Sequence, residues 1–251
     1  MNQQAVVSTL RLIYPQWCAP PHVKSLFTTR IGGNSHGPFS SLNLAMHVGD
    51  ELSAVNANRE KLQIAAGRHV QTQWLHQVHG TRVAQINSPG HETVADAATT
   101  RVPFVACSVL VADCCPILLT DIHGSQIAAA HAGWRGLHAG IVPNTVASFT
   151  SRANQILAWV GPCIGLQAYT VDANLQEYFR RTMPGSMRFF HESGGQLHMD
   201  LRGLCVQQLY DSGVTRVFSS DICVFSEQSR FFSYRRDGST GRMVAMIWIE
   251  P

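Results

Sequence analysis

A chain of 251 residues with 45% apolar and only 14% charged residues can bury a sizeable core and is too apolar to be disordered. Its formal charge of +3, with no run of lysines or arginines, argues against a nucleic-acid-binding surface. No apolar stretch approaches the roughly 20 residues of a membrane span, and the N-terminus lacks the segments of a signal peptide, so the expected location is the cytoplasm.

In chain order, "HVKSLFTTR" alternates and carries β-branched and aromatic residues, which predicts a strand. "IGGNSHGPFSSLNLAMHVGD" reads as a long loop of the kind that carries function. A helix follows over Leu52–Ala66, with Asp50 or Ser53 as candidate cap and Gly67 as stop. "TQWLHQV" and "TRVAQI" predict short strands, and "FVACSVLVA", "PILLTD" and "SQIAAAH" predict central ones. In "AAAHAGWRGLHAG" an apolar run stops at His131, Ala132-Gly133 turns, and a helix opens at Trp134. "WVGP" ends another strand. "DLRGLCVQQLYDSG" predicts a helix capped by Asp200 and stopped by Gly213; "VTRVFSS" and "RMVAMIWI" predict further strands. Strands outnumber helices without a regular βαβ repeat, so the expected class is mixed α+β, with sheets covered by helices. There is no dinucleotide fingerprint or P-loop.

An odd count of seven cysteines (Cys18, Cys107, Cys114, Cys115, Cys163, Cys205, Cys223) is not a disulfide framework. Most should be small buried hydrophobes, leaving one or two as ligands or nucleophiles. Cys114 sits at the break between two apolar strands, His79 at the end of "WLHQVHG", and His131 at the end of a third run. Two imidazoles and one thiolate suit zinc and also copper, and three ligands leave an open position. A metal-free Cys/His nucleophilic pair fits the same residues. Strand alternation turns His76 away from His79, which predicts that His76 is not a ligand.

The motifs "TTRIGGNS", "SLNLAMHVGD", "NREKL", "QVHGTRV", "ADCCPILLTD", "AAAHAGWRG", "AWVGPCIG" and "FFSYRRDGSTGRM" together resemble the YfiH-type family, also called laccase-domain or polyphenol-oxidase-like proteins and purine nucleoside phosphorylases. The resemblance implies a single domain over residues 1–251, in an α/β, YfiH-like cysteine-hydrolase-type fold of layered sheets and helices. It implies a mononuclear zinc site on His79, Cys114 and His131, which would be both the metal ligands and the catalytic centre. It implies phosphorolysis of adenosine, inosine, guanosine and methylthioadenosine, with adenosine deaminase activity. The alternatives are copper-dependent oxidation of phenols and a metal-stabilised non-catalytic protein. Neither nucleic acid nor membrane is implied as a partner.

The chain departs from the family pattern at His76, where Asn is frequent, at Cys115, where an apolar residue is usual, and in "CVF" at Cys223. Arg30 and Asn43 resemble substrate- or phosphate-facing groups, with the amides of Gly32 and Gly33 beside them. Asp113 is a candidate for orienting a ligand imidazole. Trp134 is expected to pack over the site. Arg235, Arg236 and Arg242 form either a structural ion-pair cluster, the preferred reading, or an anion entrance.

Overall fold

The computed structural model describes residues 10–251; the reading of the first nine residues as no part of a signal peptide lies outside them. Two large sheets face each other. One has five strands in the order Leu12–Ile13, Val23–Thr28, Met243–Ile249, Val105–Val111, Gln71–Gln73. The other has six, in the order Arg216–Ser219, Ile156–Val160, Cys115–Asp121, Ile127–Ala132, Ala97–Thr100, Val83–Gln85.

The two-residue period of a strand builds the layers. Phe27, Val109, Ala245 and Ile247 of the first sheet meet Leu118, Ile127, Ala129 and Trp159 of the second. The alternate residues of the first sheet, Leu26, Leu110, Val244 and Met246, pack outward against Leu62 of the helix Leu52–Ala66. Those of the second, Ile117, Leu119, Ala128 and Ala158, pack against Leu137, Ile141, Phe179 and Leu204 of helices on the far side. Helix, sheet, sheet and helices therefore form four layers. The central strands of both sheets are buried on both faces, which explains why they read as continuous apolar runs.

The helix Leu52–Ala66 ends at Gly67 in a positive-φ conformation (φ 110°). Neither Asp50 nor Ser53 caps it: Glu51 is the N-cap and makes no side-chain cap bond, while Asp50 binds the amide of Glu51 and the amide group of Asn43. The helix Leu201–Asp211 is capped by Asp200, which accepts from the Gly203 amide at 2.9 Å. Sequence patterning missed the helix Ala173–Thr182 and the three-stranded sheet of Thr170–Val171, Gln196–Met199 and Phe190–Ser193. The long loop before residue 50 is held by Asn58, a buried side chain that bonds Asn34, Ser35, Ser41 and Asn43. Among the described residues no helix is long and apolar enough to cross a membrane.

Candidate metal centre

Strand register places two of the three candidate donors at one sheet end. Cys115–Asp121 and Ile127–Ala132 pair antiparallel with Ala132 opposite Cys115 and His131 opposite Pro116. One step further along, Cys114 falls beside Gly133. His79 arrives from another direction. The strand Leu75–His76 stops, and the chain turns so that His79 has φ 58°, the left-handed region. The ligating atoms of His79, Cys114 and His131 then lie within 4.8 Å of one another. The two imidazoles meet edge to face, with centroids 4.8 Å apart. His76 lies exposed outside this cluster. The reason is the turn after the strand, since there is no continuing strand to alternate.

The group that holds the cluster together is Asp96, which the sequence reading did not single out. Its side chain is fully buried, at 0% exposure. One oxygen accepts from the His79 amide at 2.9 Å and from His131 Nδ1 at 2.9 Å; the other accepts from the amides of Val78 at 3.1 Å and Gly80 at 2.6 Å. The strained turn and the buried imidazole thus share one carboxylate. With Nδ1 donating to Asp96, Nε2 is the nitrogen of His131 left to ligate. Asp113, the residue expected in this role, does something else. Its carboxylate accepts from Ser233 Oγ at 2.6 Å and the Arg235 amide at 2.7 Å, and bonds neither imidazole.

Burial alone would raise the Cys114 thiol, but His131 and His79 outweigh it and bring the thiol down to about 6. Burial likewise acts to lower His131, and the Cys114 thiolate with Asp96 overrides it, raising the imidazole to about 9. Without metal the pair is a thiolate facing an imidazolium at neutral pH. A titration of metal-stripped protein at 240 nm should show one thiolate forming with a midpoint near pH 6, absent in Cys114→Ala. A midpoint near that of an ordinary thiol would contradict the arrangement.

The donor set fits a borderline metal: one thiolate, two imidazoles, and a carboxylate orienting one of them. The surroundings fit as well. A Cβ placed on Gly133 would lie 2.9 Å from Cys114 Sγ and 3.1 Å from His79 Cδ2. Gly133 has φ −77°, so its lack of a side chain answers to space and not to backbone conformation. Gly133→Ala should push the thiolate and the His79 ring apart and weaken zinc affinity about 10–100-fold, as displaced ligand supports do. Competition with a chromogenic chelator measures this, and an unchanged affinity would refute it.

The cluster opens onto a cavity of about 580 Å³ whose walls include Trp134, Tyr169, Tyr234, Arg135, Arg235 and Arg242. Trp134 packs toward Phe179 on one side and lines the cavity on the other. Neither Arg30 nor Asn43 lines it. Asn43 is fully buried and bonds Ala45 and Asp50. Arg30 lies over the Phe232 ring, donates to the Ser40 and Gln228 carbonyls, and borders a separate surface groove. The amides of Gly32 and Gly33 are engaged by Ser41 Oγ at 3.0 and 3.2 Å. Among the arginines of "YRRDGSTGR", only Arg236 is in an ion pair, with Asp237 at 2.7 Å.

The family model described as multi-copper polyphenol oxidoreductase laccase matches residues 24–250. The chain is 41% identical over 240 residues to the purine nucleoside phosphorylase YfiH of Escherichia coli, covering 95% of this chain and 99% of that protein. It is 39% identical over 244 residues to a purine nucleoside phosphorylase of Haemophilus influenzae, covering 96% and 100%. Among solved structures, Neisseria meningitidis protein NMB0706 superposes with a TM-score of 0.91 at 40% identity, over 96% of this chain and 99% of that one. YlmD from Geobacillus stearothermophilus superposes with a TM-score of 0.86 at 31% identity, over 96% and 100%.

Proposed function

The chain belongs to the multi-copper polyphenol oxidoreductase laccase family, and from that membership and the geometry of its cavity we propose that it is a zinc-dependent purine nucleoside phosphorylase. Its substrates are adenosine, inosine, guanosine and methylthioadenosine with phosphate, and adenosine deamination proceeds at the same centre. The observation that carries this reading is a cluster of three donors opening onto an arginine-walled cavity. We take the whole chain as one domain. Its seven cysteines are all free, which fits a reducing compartment such as the cytoplasm.

His79, Cys114 and His131 would hold the metal. Bound there, zinc would supply a Lewis acid. In phosphorolysis the glycosidic bond breaks, its electron pair leaves with the base, and a phosphate oxygen bonds to the sugar carbon. The base takes up the proton that the phosphate gives up, and the other product is the sugar 1-phosphate: ribose 1-phosphate from adenosine, inosine and guanosine, and methylthioribose 1-phosphate from methylthioadenosine. The chain's part is to bring a dianion and a neutral nucleoside together in a sheltered pocket. Trp134, Tyr169 and Tyr234 offer aromatic faces for the purine. Burial, with the Cys114 charge adding to it, pushes the Tyr169 phenol up, so it stays a neutral hydrogen-bond donor. Asp96 keeps the His131 ring fixed throughout.

The family description favours a second reading, oxidation of phenols with copper. The donor inventory supports it less: among the described residues there is one cluster of three donors, and a multicopper relay needs several sets of imidazoles. The test incubates metal-analysed protein with inosine under nitrogen, with and without phosphate, and resolves the products by chromatography. Phosphate-dependent release of hypoxanthine is expected. Oxygen-dependent turnover of a phenol with no base release would replace this reading with the copper one. Chelation separates catalysis from a purely structural metal: activity should be lost while the circular dichroism spectrum is retained.

A further inference from the structure

Two arginines of the cavity wall are built in place in a way that the third arginine of their segment is not. The backbone amide of Arg242 donates to Asn43 Oδ1 at 3.0 Å, and its Nη1 donates to the carbonyls of Thr240 at 2.8 Å and Gly241 at 3.0 Å. The backbone amide of Arg235 donates to Asp113 Oδ2 at 2.7 Å, and its Nη1 donates to the Thr170 carbonyl at 2.5 Å, with the guanidinium 4.9 Å from the Tyr169 ring centre. The two polar side chains that hold these amides, Asn43 and Asp113, come from distant parts of the chain. Each guanidinium is anchored through one nitrogen, and among the described residues neither forms a salt bridge. Their Nε and Nη2 donors have no protein partner and are not sealed in the interior.

Arg236 shows the opposite pattern. Its Nε and Nη2 donate to both oxygens of Asp237, and its remaining donors go to the carbonyls of Val224, Phe225 and Phe231. It is a structural arginine. Arg235 and Arg242 keep their forks free in a cavity whose lining contains one carboxylate, Asp113, and that carboxylate is already engaged by Ser233 and by Arg235's own amide.

We propose that Arg235 and Arg242 form the oxyanion clamp that receives inorganic phosphate beside the three-donor cluster, a site that rests on the phosphorolysis reading for its role as the co-substrate site. A pair of pre-positioned guanidinium forks matches a phosphate bidentately, which a lysine cannot do. The clamp places the nucleophile's charge on the protein, so phosphate binding does not depend on the metal alone.

Isothermal titration of inorganic phosphate into zinc-loaded protein, without nucleoside, tests this. Arg235→Met and Arg242→Met should each weaken phosphate about tenfold or more, the loss expected for one charge-assisted fork. Inosine binding in phosphate-free buffer should change by less than about twofold, because an uncharged ligand does not use the fork. Should Arg242→Met fail to fold, Arg242→Lys carries the test: it keeps the charge, loses the fork, and should still weaken phosphate several-fold. Metal-stripped Cys114→Ala should retain measurable phosphate binding. Phosphate affinity that ignores both arginines and vanishes in Cys114→Ala would place the anion on the metal and overturn the clamp. Phosphate binding that depends on both arginines in a protein that cleaves no nucleoside would uphold the clamp and remove the phosphorolysis reading. Nucleoside cleavage with a phosphate KM indifferent to both arginines would do the reverse.

Discussion

Cys114→Ala should lose bound zinc and nucleoside cleavage together while the fold stays intact. The substitution removes the anionic donor and leaves two imidazoles, too few for a tightly held catalytic zinc. Cys114 is half-buried at the break between the strands Val105–Val111 and Cys115–Asp121, so its loss opens no large void between the sheets. Metal content by mass spectrometry, base release from inosine, and a thermal melt of the chelated proteins give the three readouts. Base release should drop to background with the melting temperature within a few degrees of the metal-free wild type. A variant that retains wild-type activity would remove Cys114 from the centre.

Asp96→Ala should behave differently, losing metal and stability at once. The buried carboxylate accepts three backbone amides and the His131 ring. Deleting it leaves those donors without partners and frees the His79 turn from its left-handed conformation. Removing one partner of such a buried charged pair costs about 3–5 kcal/mol. For a chain of this size that is on the order of 10 °C in melting temperature. Zinc affinity should fall by at least about 10–100-fold, the usual effect of removing a group that orients a metal-ligating imidazole. Asp96→Asn keeps an acceptor oxygen and should lose less stability. A melt of Asp96→Ala unchanged from wild type would show that the carboxylate does not hold the turn.

The contrast between these two residues shows what was legible in the chain. Cys114 and His131 stand where apolar runs break, a local feature of "ADCCPILLTD" and "AAAHAGWRG" that any reading of strand ends picks up. Their mutual approach follows from one antiparallel pairing. Asp96 had no such signal. It stands in "VADAATT", and its importance comes from contacts 16 to 35 positions away along the chain. Asn43, expected to face substrate, and Asp113, expected to orient an imidazole, instead hold the backbones of Arg242 and Arg235, again at long range. Arg30 is expected at the substrate, and only the folded loop shows its fork turned to Ser40 and Gln228. The central strands were legible because burial on both faces leaves unbroken apolar runs. The helix Ala173–Thr182 was not: its only fully buried residue is Phe179, so most of its sequence is polar and reads as loop.

Under the proposed function phosphate, and not water or dioxygen, is the partner of nucleoside cleavage at the three-donor centre. Phosphorus-31 NMR of zinc-loaded protein with inosine and inorganic phosphate under nitrogen tests it most directly. The inorganic phosphate signal should fall as a ribose 1-phosphate signal grows, in step with hypoxanthine release, and neither should occur with Cys114→Ala. Hypoxanthine release at the same rate without phosphate, with no sugar phosphate formed, would contradict it.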